Sequence, residues 1–127
     1  MENPGDSSLE HIIQKGVCTM EDIEGSRNLI RSLEEPIRSG AIRITEKKLR
    51  ALSDLTRLKI FLLLRNGEKC VCEIEYLLNM HQSSVSRNLG ILENSDLITK
   101  RKSGKWTYYR IGDESFGEFV WETCFGE

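Results

Sequence analysis

From residue 45 onward the apolar positions fall into a run of short helical stripes followed by an alternating pair of strands, whereas the first 44 residues carry a weaker pattern. Thr45 stands where an N-cap belongs, Leu49 and Leu52 form a short stripe behind it, and Ser53 is placed to cap the next helix. In that helix Leu55, Leu58, Ile60, Phe61, Leu62, Leu63 and Leu64 cover more than half the circumference, and Gly67 supplies the stop, which marks it as the central core helix. A further helix over residues 71–79 carries Ile74, Leu77 and Leu78 at i, i+3, i+4. After a gap of a few residues, a helix over 82–94 sets Val85, Leu89 and Leu92 on one side. Ser83, Ser84, Arg87 and Asn88 lie on the other. Residues 97–101 and 106–111 then read as strands around a tight loop at 102–105, with β-branched and aromatic residues in both arms.

Two short helices joined by a tight turn, the second presenting Ser, Gln and Arg outward, predict a helix-turn-helix, and the β-hairpin behind it makes the unit winged. The fold class expected is mainly α with a β-hairpin, over residues 45–127. A last helix over residues 113–124 places Phe116, Val120 and Cys124 at i, i+4, i+8 with Phe119 alongside. Such an exposed stripe wants a partner, and a second copy of the chain is the simplest one, so a homodimer is expected. Ahead of this domain, residues 1–44 form an extension. Disorder is expected over 1–8, a helix over 9–15 broken by Gly16, and another from 21 to 31 or beyond, ended by Pro36 and Gly40.

Charge sharpens the picture, because the net −2 of the 127 residues hides a segregation. Residues 1–40 carry −4 and residues 112–127 carry −5, while 41–81 carry +3 and 82–111 carry +4. The basic middle suits a phosphate backbone, and the pI of about 5.8 argues against a purely electrostatic binder blind to sequence. Lys100, Arg101, Lys102 and Lys105 crowd the hairpin tip, a density fitted to phosphate contact beside the groove that the helix at 82–94 would enter. The longest apolar run, 60–64, is five residues, where a membrane-spanning helix needs about 20. The acidic N-terminus has no secretory pattern, so a cytoplasmic protein without membrane attachment is expected.

In a reducing compartment four cysteines read as ligands, sensors or buried fillers more readily than as a disulfide frame. Cys70 and Cys72 form a Cys-x-Cys pair, and two thiolates bind soft ions such as As(III), Cd(II), Pb(II) or Zn(II) far better than oxygen donors do. On an ideal helix positions i and i+2 stand about 200° apart, too far round to share one ion. The pair therefore either sits at the frayed start of the helix over 71–79 or distorts that helix on binding. The plain alternative is two small buried hydrophobes.

Four stretches, LRALSDLTRLKI at 49–60, EKCVCEI at 68–74, QSSVSRNL at 82–89 and GKWTYYRI at 104–111, resemble in order the ArsR/SmtB family. The resemblance spans about residues 45–115. It implies a homodimeric winged-helix repressor that binds double-stranded operator DNA and releases it when a metal or metalloid binds. The chain departs from the family pattern in having Leu55 for Pro, His81 for Ser, Asn88 for His and Asp96 for Gly. His81, at the N-cap of the reading helix, offers a hydrogen bond in place of the usual Ser. On the resemblance Gln82, Ser83, Ser84, Ser86 and Arg87 read the major groove, and Lys100, Arg101, Lys102 and Lys105 hold the backbone.

As(III) prefers three thiolates, and where arsenic sensors often carry a third Cys on the same helix this chain has Glu75 and Tyr76. Related cadmium and lead sensors bring an N-terminal cysteine across the dimer, which makes Cys18, 52 residues before Cys70, one candidate. Others use a C-terminal cysteine, which makes Cys124 the second, and all four together would form a tetrathiolate site. The family's zinc site on the last helix needs an Asp-x-His pair that Asp113-Glu114-Ser115 lacks. The inducer expected is therefore As(III), Cd(II) or Pb(II). Two rivals stand beside this reading: a redox repressor in which Cys18 or Cys124 forms a reversible disulfide with Cys70 or Cys72, and a thiol oxidoreductase using the Cys-x-Cys pair. The second lacks any βαβ alternation, and no catalytic constellation or phosphate loop is visible.

Overall fold

The computed structural model describes residues 5–126, with side chains from residue 8 onward. It divides into two compact units, residues 1–42 and 43–127. In the first, α1 (Gly5–Gln14), α2 (Met20–Ser32) and α3 (Glu34–Ser39) follow one another. Disorder was expected over 1–8, but residues 5–8 form the first turn of α1, and residues 1–4 lie outside the described part. Thr19 caps α2 through a reciprocal box, its Oγ1 accepting the Asp22 amide at 3.1 Å while Asp22 Oδ2 accepts the Thr19 amide at 3.0 Å. Pro36 does not end a helix, because it stands in the first turn of α3, where its missing N–H breaks no bond. Gly40 does end one, at φ 87, a left-handed conformation that glycine adopts without strain.

The second unit holds α4 (Ala41–Leu52, from Arg43 on), α5 (Leu55–Leu63) with a 3₁₀ turn at Leu64–Asn66, β1 (Lys69–Cys70), α6 (Val71–Leu78) and α7 (Gln82–Asn94). It closes with β2 (Ile98–Ser103), β3 (Trp106–Ile111) and α8 (Glu114–Phe125). Two caps differ from expectation. Thr45 lies inside α4, because the helix restarts directly after Gly40, and α5 is capped by Asp54, which accepts the Arg57 amide at 3.0 Å. Ser53 instead closes α4, donating to the Arg50 carbonyl at 2.8 Å.

Ile60, Phe61, Leu64, Ile74, Val85, Leu89, Leu92, Leu97 and Ile98 are all within 2% of complete burial, so α5, α6 and α7 share one core with the base of β2. Leu55 and Leu77, expected on apolar stripes, are more than half exposed. The hairpin is tighter than expected, since β2 runs to Ser103 and only Gly104 and Lys105 turn the chain. Gly104 has φ 62, which fits the first position of a two-residue hairpin turn. Asp96, where the family pattern has Gly, also takes a positive φ of 61, and Asp tolerates that conformation better than most residues.

The two-residue strand β1 was not foreseen. It pairs antiparallel with β3, giving a three-stranded sheet in the order β1-β3-β2, with Lys69 opposite Tyr109 and Cys70 opposite Tyr108. On α8, Phe116 and Val120 pack into the chain's own core, so the exposed apolar groups are Phe119 and Phe125, a face turned from the one expected. Arg65 joins the 3₁₀ turn to α8, paired with Glu118 at 3.1 Å and stacked 4.2 Å over the Trp121 ring. Among the described residues no helix is long and apolar enough to cross a membrane.

Asp113 caps α8 through the Phe116 amide (3.0 Å) and pairs with Lys48 of α4, and that lysine holds its carboxyl below the usual range. A carboxyl lowered on folding stabilises fully above its unfolded value of about 3.9 and loses that contribution as pH falls through the folded value. Denaturant midpoints measured from about pH 7 down to about pH 2 should fall further for the wild type than for Asp113→Asn, which keeps the cap without the titratable charge. Parallel losses would remove the Lys48 pair from the stability of α8.

Candidate nucleic-acid interface and thiol pocket

The apolar side of α7 is pinned by Val85, Leu89 and Leu92, and this fixes what its other side presents. Gln82, Ser83, Ser86 and Arg87 are exposed, and Ser84 is half-buried. His81 is the N-cap, its Nδ1 accepting the Ser83 amide at 3.3 Å and lying 2.9 Å from Ser83 Oγ. The hydroxyl of Ser83 is thus engaged with the cap, while Gln82, Ser86 and Arg87 make no side-chain bond within the described residues.

Asn88 was expected on the outer face and is instead 4% exposed. Its Nδ2 donates to the Ser84 carbonyl at 2.9 Å, and its Oδ1 accepts from Arg57 Nη1 at 3.3 Å. Arg57 Nε donates in turn to the Ala51 carbonyl at 2.6 Å. One guanidinium therefore joins the end of α4 to the middle of α7. This relay is not legible from local pattern, because its members are separated by up to 37 positions and lie in two different stretches of the chain.

The four hairpin cations are not equivalent. Arg101 forms a two-pronged pair with Glu68, its Nε on Oε2 at 3.0 Å and its Nη2 on Oε1, and stacks over the Tyr108 ring at 4.8 Å. That bond holds the Glu68 carboxyl below its ordinary value. Lys100 lies 3.5 Å from Glu93. Lys102 and Lys105 have no carboxylate partner among the described residues, and Lys105 sits 5.3 Å from the Trp106 ring centre. The hairpin thus carries two cations without a carboxylate partner among the described residues and two that are each held by a glutamate.

Of the two arrangements the sequence allowed for the cysteines, the structure shows the first. Cys70 is the N-cap of α6, with extended backbone at φ −78, ψ 162, so the two side chains are not forced to opposite sides of a helix. Their Cα atoms are 5.4 Å apart and the sulfurs are joined as a disulfide. Cys70 is buried and Cys72 exposed. Cys70 Sγ also accepts the Glu73 amide at 3.4 Å, and Glu73 accepts the Cys70 amide at 3.2 Å, a capping box with sulfur in the place of a hydroxyl. The cross-pairing expected of a redox switch is not present, since Cys18 and Cys124 are free, the first half-buried in the N-terminal unit and the second exposed on α8. Among the described residues no three His, Cys, Asp or Glu side chains are assembled to hold a metal. Once reduced, the pair would offer two sulfur donors. It opens into a cavity of about 200 Å³ lined by Cys70, Cys72, Glu75, Gln82, Lys105 and Trp106, among others.

Comparison with known proteins fits this geometry. The family model described as bacterial regulatory protein, arsR family, matches residues 54–100. The arsenical resistance operon repressor of Bacillus subtilis is 40% identical over 78 residues, 61% of this chain and 74% of that protein. A cadmium resistance regulatory protein CadC homolog of Staphylococcus aureus is 37% identical over 75 residues, 58% of this chain and 62% of the relative. The arsenical resistance operon repressor of Escherichia coli is 48% identical over 61 residues, and the chain spans about half of its length, 52%. Among solved structures, the homodimeric winged helix-turn-helix DNA-binding domain of a possible ArsR-family regulator from Mycobacterium bovis is similar at TM-score 0.64 and 28% identity, over 68% of this chain and 81% of that one. The curated relatives are named as repressors or regulators, and none of these names supports the oxidoreductase rival.

Asn88→Ala leaves an Arg57 N–H without its acceptor in a half-buried place. The expected loss is about 1–3 kcal/mol, read from the denaturant midpoint, and a loss within experimental scatter would show that the relay does not hold α7.

Proposed function

The chain belongs to the ArsR/SmtB family of winged helix-turn-helix repressors, and we propose that it works as a homodimer whose operator affinity is switched by a thiophilic ion, As(III), Cd(II) or Pb(II), held by Cys70 and Cys72. The observation that carries this is the position of Cys70, which both caps α6 and pairs with Tyr108 of the wing strand. The disulfide shows that this backbone, with Cα atoms 5.4 Å apart, lets the two sulfurs meet, and once the pair is reduced each thiol gives up its proton as it bonds to a shared soft ion. The donor set therefore fits such an ion. Cys18 or Cys124, both free, supplies a third thiolate.

Exposed Gln82, Ser86 and Arg87, with the half-buried Ser84, face bases in the major groove. Ser83 contributes through the cap it shares with His81. Lys102 and Lys105 hold phosphates at once, and Lys100 and Arg101 do so after leaving Glu93 and Glu68. Two-fold symmetry sets the half-sites about one helical turn, roughly 34 Å, apart. The exposed Phe119 and Phe125 on α8 supply an apolar face for the second copy.

A second reading rests on the disulfide itself. With Cys70 and Cys72 oxidised to one another, the ion's ligands are gone and the cap of α6 is locked, so an oxidant could set operator affinity in place of an ion. Release by an oxidant in metal-free buffer, reversed by a dithiol, would favour that reading.

Arg87→Ala should weaken binding to the operator by about 1–3 kcal/mol while leaving random DNA nearly untouched. Lys102→Ala should lower the slope of log affinity against log salt by about one on any sequence, and Arg101→Ala by less, because that cation is already paired. Binding isotherms unchanged by all three would remove α7 and the hairpin from the interface. Cys70→Ser should bind operator but keep it when arsenite or cadmium is added. Undiminished release by that variant would refute the thiol site.

A further inference from the structure

We propose that the wing tip forms the second wall of the ion site, and that Trp106 is the positioning residue through which an ion on Cys70 and Cys72 changes DNA affinity. This rests on the reading of those two cysteines as the ion's ligands and goes beyond it by naming the route. The cavity beside the sulfurs brings together three elements: the start of α6, the first residue of the reading helix (Gln82), and the wing at its turn (Lys105) and the first residue of β3 (Trp106).

The sheet register explains why they meet. Cys70 lies opposite Tyr108, and Trp106 is two residues from Tyr108 on the same strand, so strand alternation sets Trp106 on the face that Cys70 shares. Trp106 is a large apolar ring that lines the cavity and is 48% exposed. Its ring also carries the Lys105 ammonium at 5.3 Å.

One cavity of about 200 Å³ is lined by both cysteines and by Trp106, so an ion on the sulfurs, with its remaining ligand, shares that space with the indole. When the indole shifts, the Gly104–Lys105 turn shifts with it, since Trp106 pairs with Ser103 at the first rung behind that turn. Lys105 is one of the two tip cations without a carboxylate partner among the described residues, so this displacement falls on a group that meets phosphate directly. The ion thereby acts on the wing by contact and needs no distortion of α6.

The test uses the reduced full-length chain. The sequence holds two tryptophans, so a Trp121→Phe background leaves Trp106 as the sole indole. Cadmium should change its emission in step with the thiolate-to-cadmium absorbance. The ratio of operator Kd with cadmium to that without it should fall by about tenfold or more in Trp106→Ala, each protein against its own ion-free value, while Trp106→Phe keeps most of it. Trp106→Ala should still show the thiolate-to-cadmium absorbance. An unresponsive Trp106 emission under full cadmium loading, or a Trp106→Ala chain that lets go of DNA as completely as the wild type, overturns the proposal. Should Trp106→Ala fail to fold, the emission titration and Trp106→Phe still decide. A wild type that loads cadmium and holds its operator unchanged overturns the ion-responsive reading itself, a result separable from failure of the tryptophan arm.

Discussion

Cys70 carries two backbone obligations at once, and the arrangement of the C-terminal unit depends on both being met. As the last residue of β1 it must be extended to pair with Tyr108, and as the N-cap of α6 it must be extended while its side chain accepts the Glu73 amide. One conformation satisfies both, and the helix turns away from the sheet at the next residue. The first helix of the helix-turn-helix thus begins at a residue that is itself paired with the wing strand, and that residue carries sulfur. Any bond formed or broken at that sulfur is felt on both sides of the joint.

Around this joint the reading helix is held rigidly. Val85, Leu89 and Leu92 are fully buried against the α5 core, Asn88 is tied through Arg57 to Ala51, and His81 closes the N-terminal end. The wing is looser, since most of its side chains are exposed and its cations divide between paired and unpaired. A fixed α7 beside a softer hairpin is a reasonable division of work, because base contacts require position whereas phosphate contacts tolerate adjustment. It also indicates where a small ion can have an effect: displacing α7 would disrupt the core, while displacing the hairpin tip disturbs little besides its grip on phosphate.

Features governed by local period or by a contiguous motif were legible in the sequence. The bounds of α7 follow from its apolar stripe and the His81 cap, the hairpin from its alternation and Gly104, and the thiol pair from its spacing. Features set by partners distant in sequence were not. Glu68 and Arg101 are 33 positions apart, Arg57 and Asn88 are 31 apart, and β1 is two residues long, too short for any period. Asn88 was misplaced because polarity alone suggested the outer face, when an arginine behind α7 satisfies its amide inside. Thr45 and Ser53 were misplaced as caps because α4 already begins at Ala41 and Asp54 caps α5. Trp106 read as a strand residue, and its place beside the sulfurs emerges only from the register of β1 on β3.

If ion and operator are linked through the C-terminal unit, that linkage must be reciprocal. The most direct measurement is therefore cadmium and arsenite affinity of the reduced, metal-free protein, followed by thiolate-to-metal absorbance, with and without saturating operator DNA. Operator should weaken ion binding by the same factor by which the ion weakens operator binding. Equal ion affinities in the presence and absence of operator would contradict it.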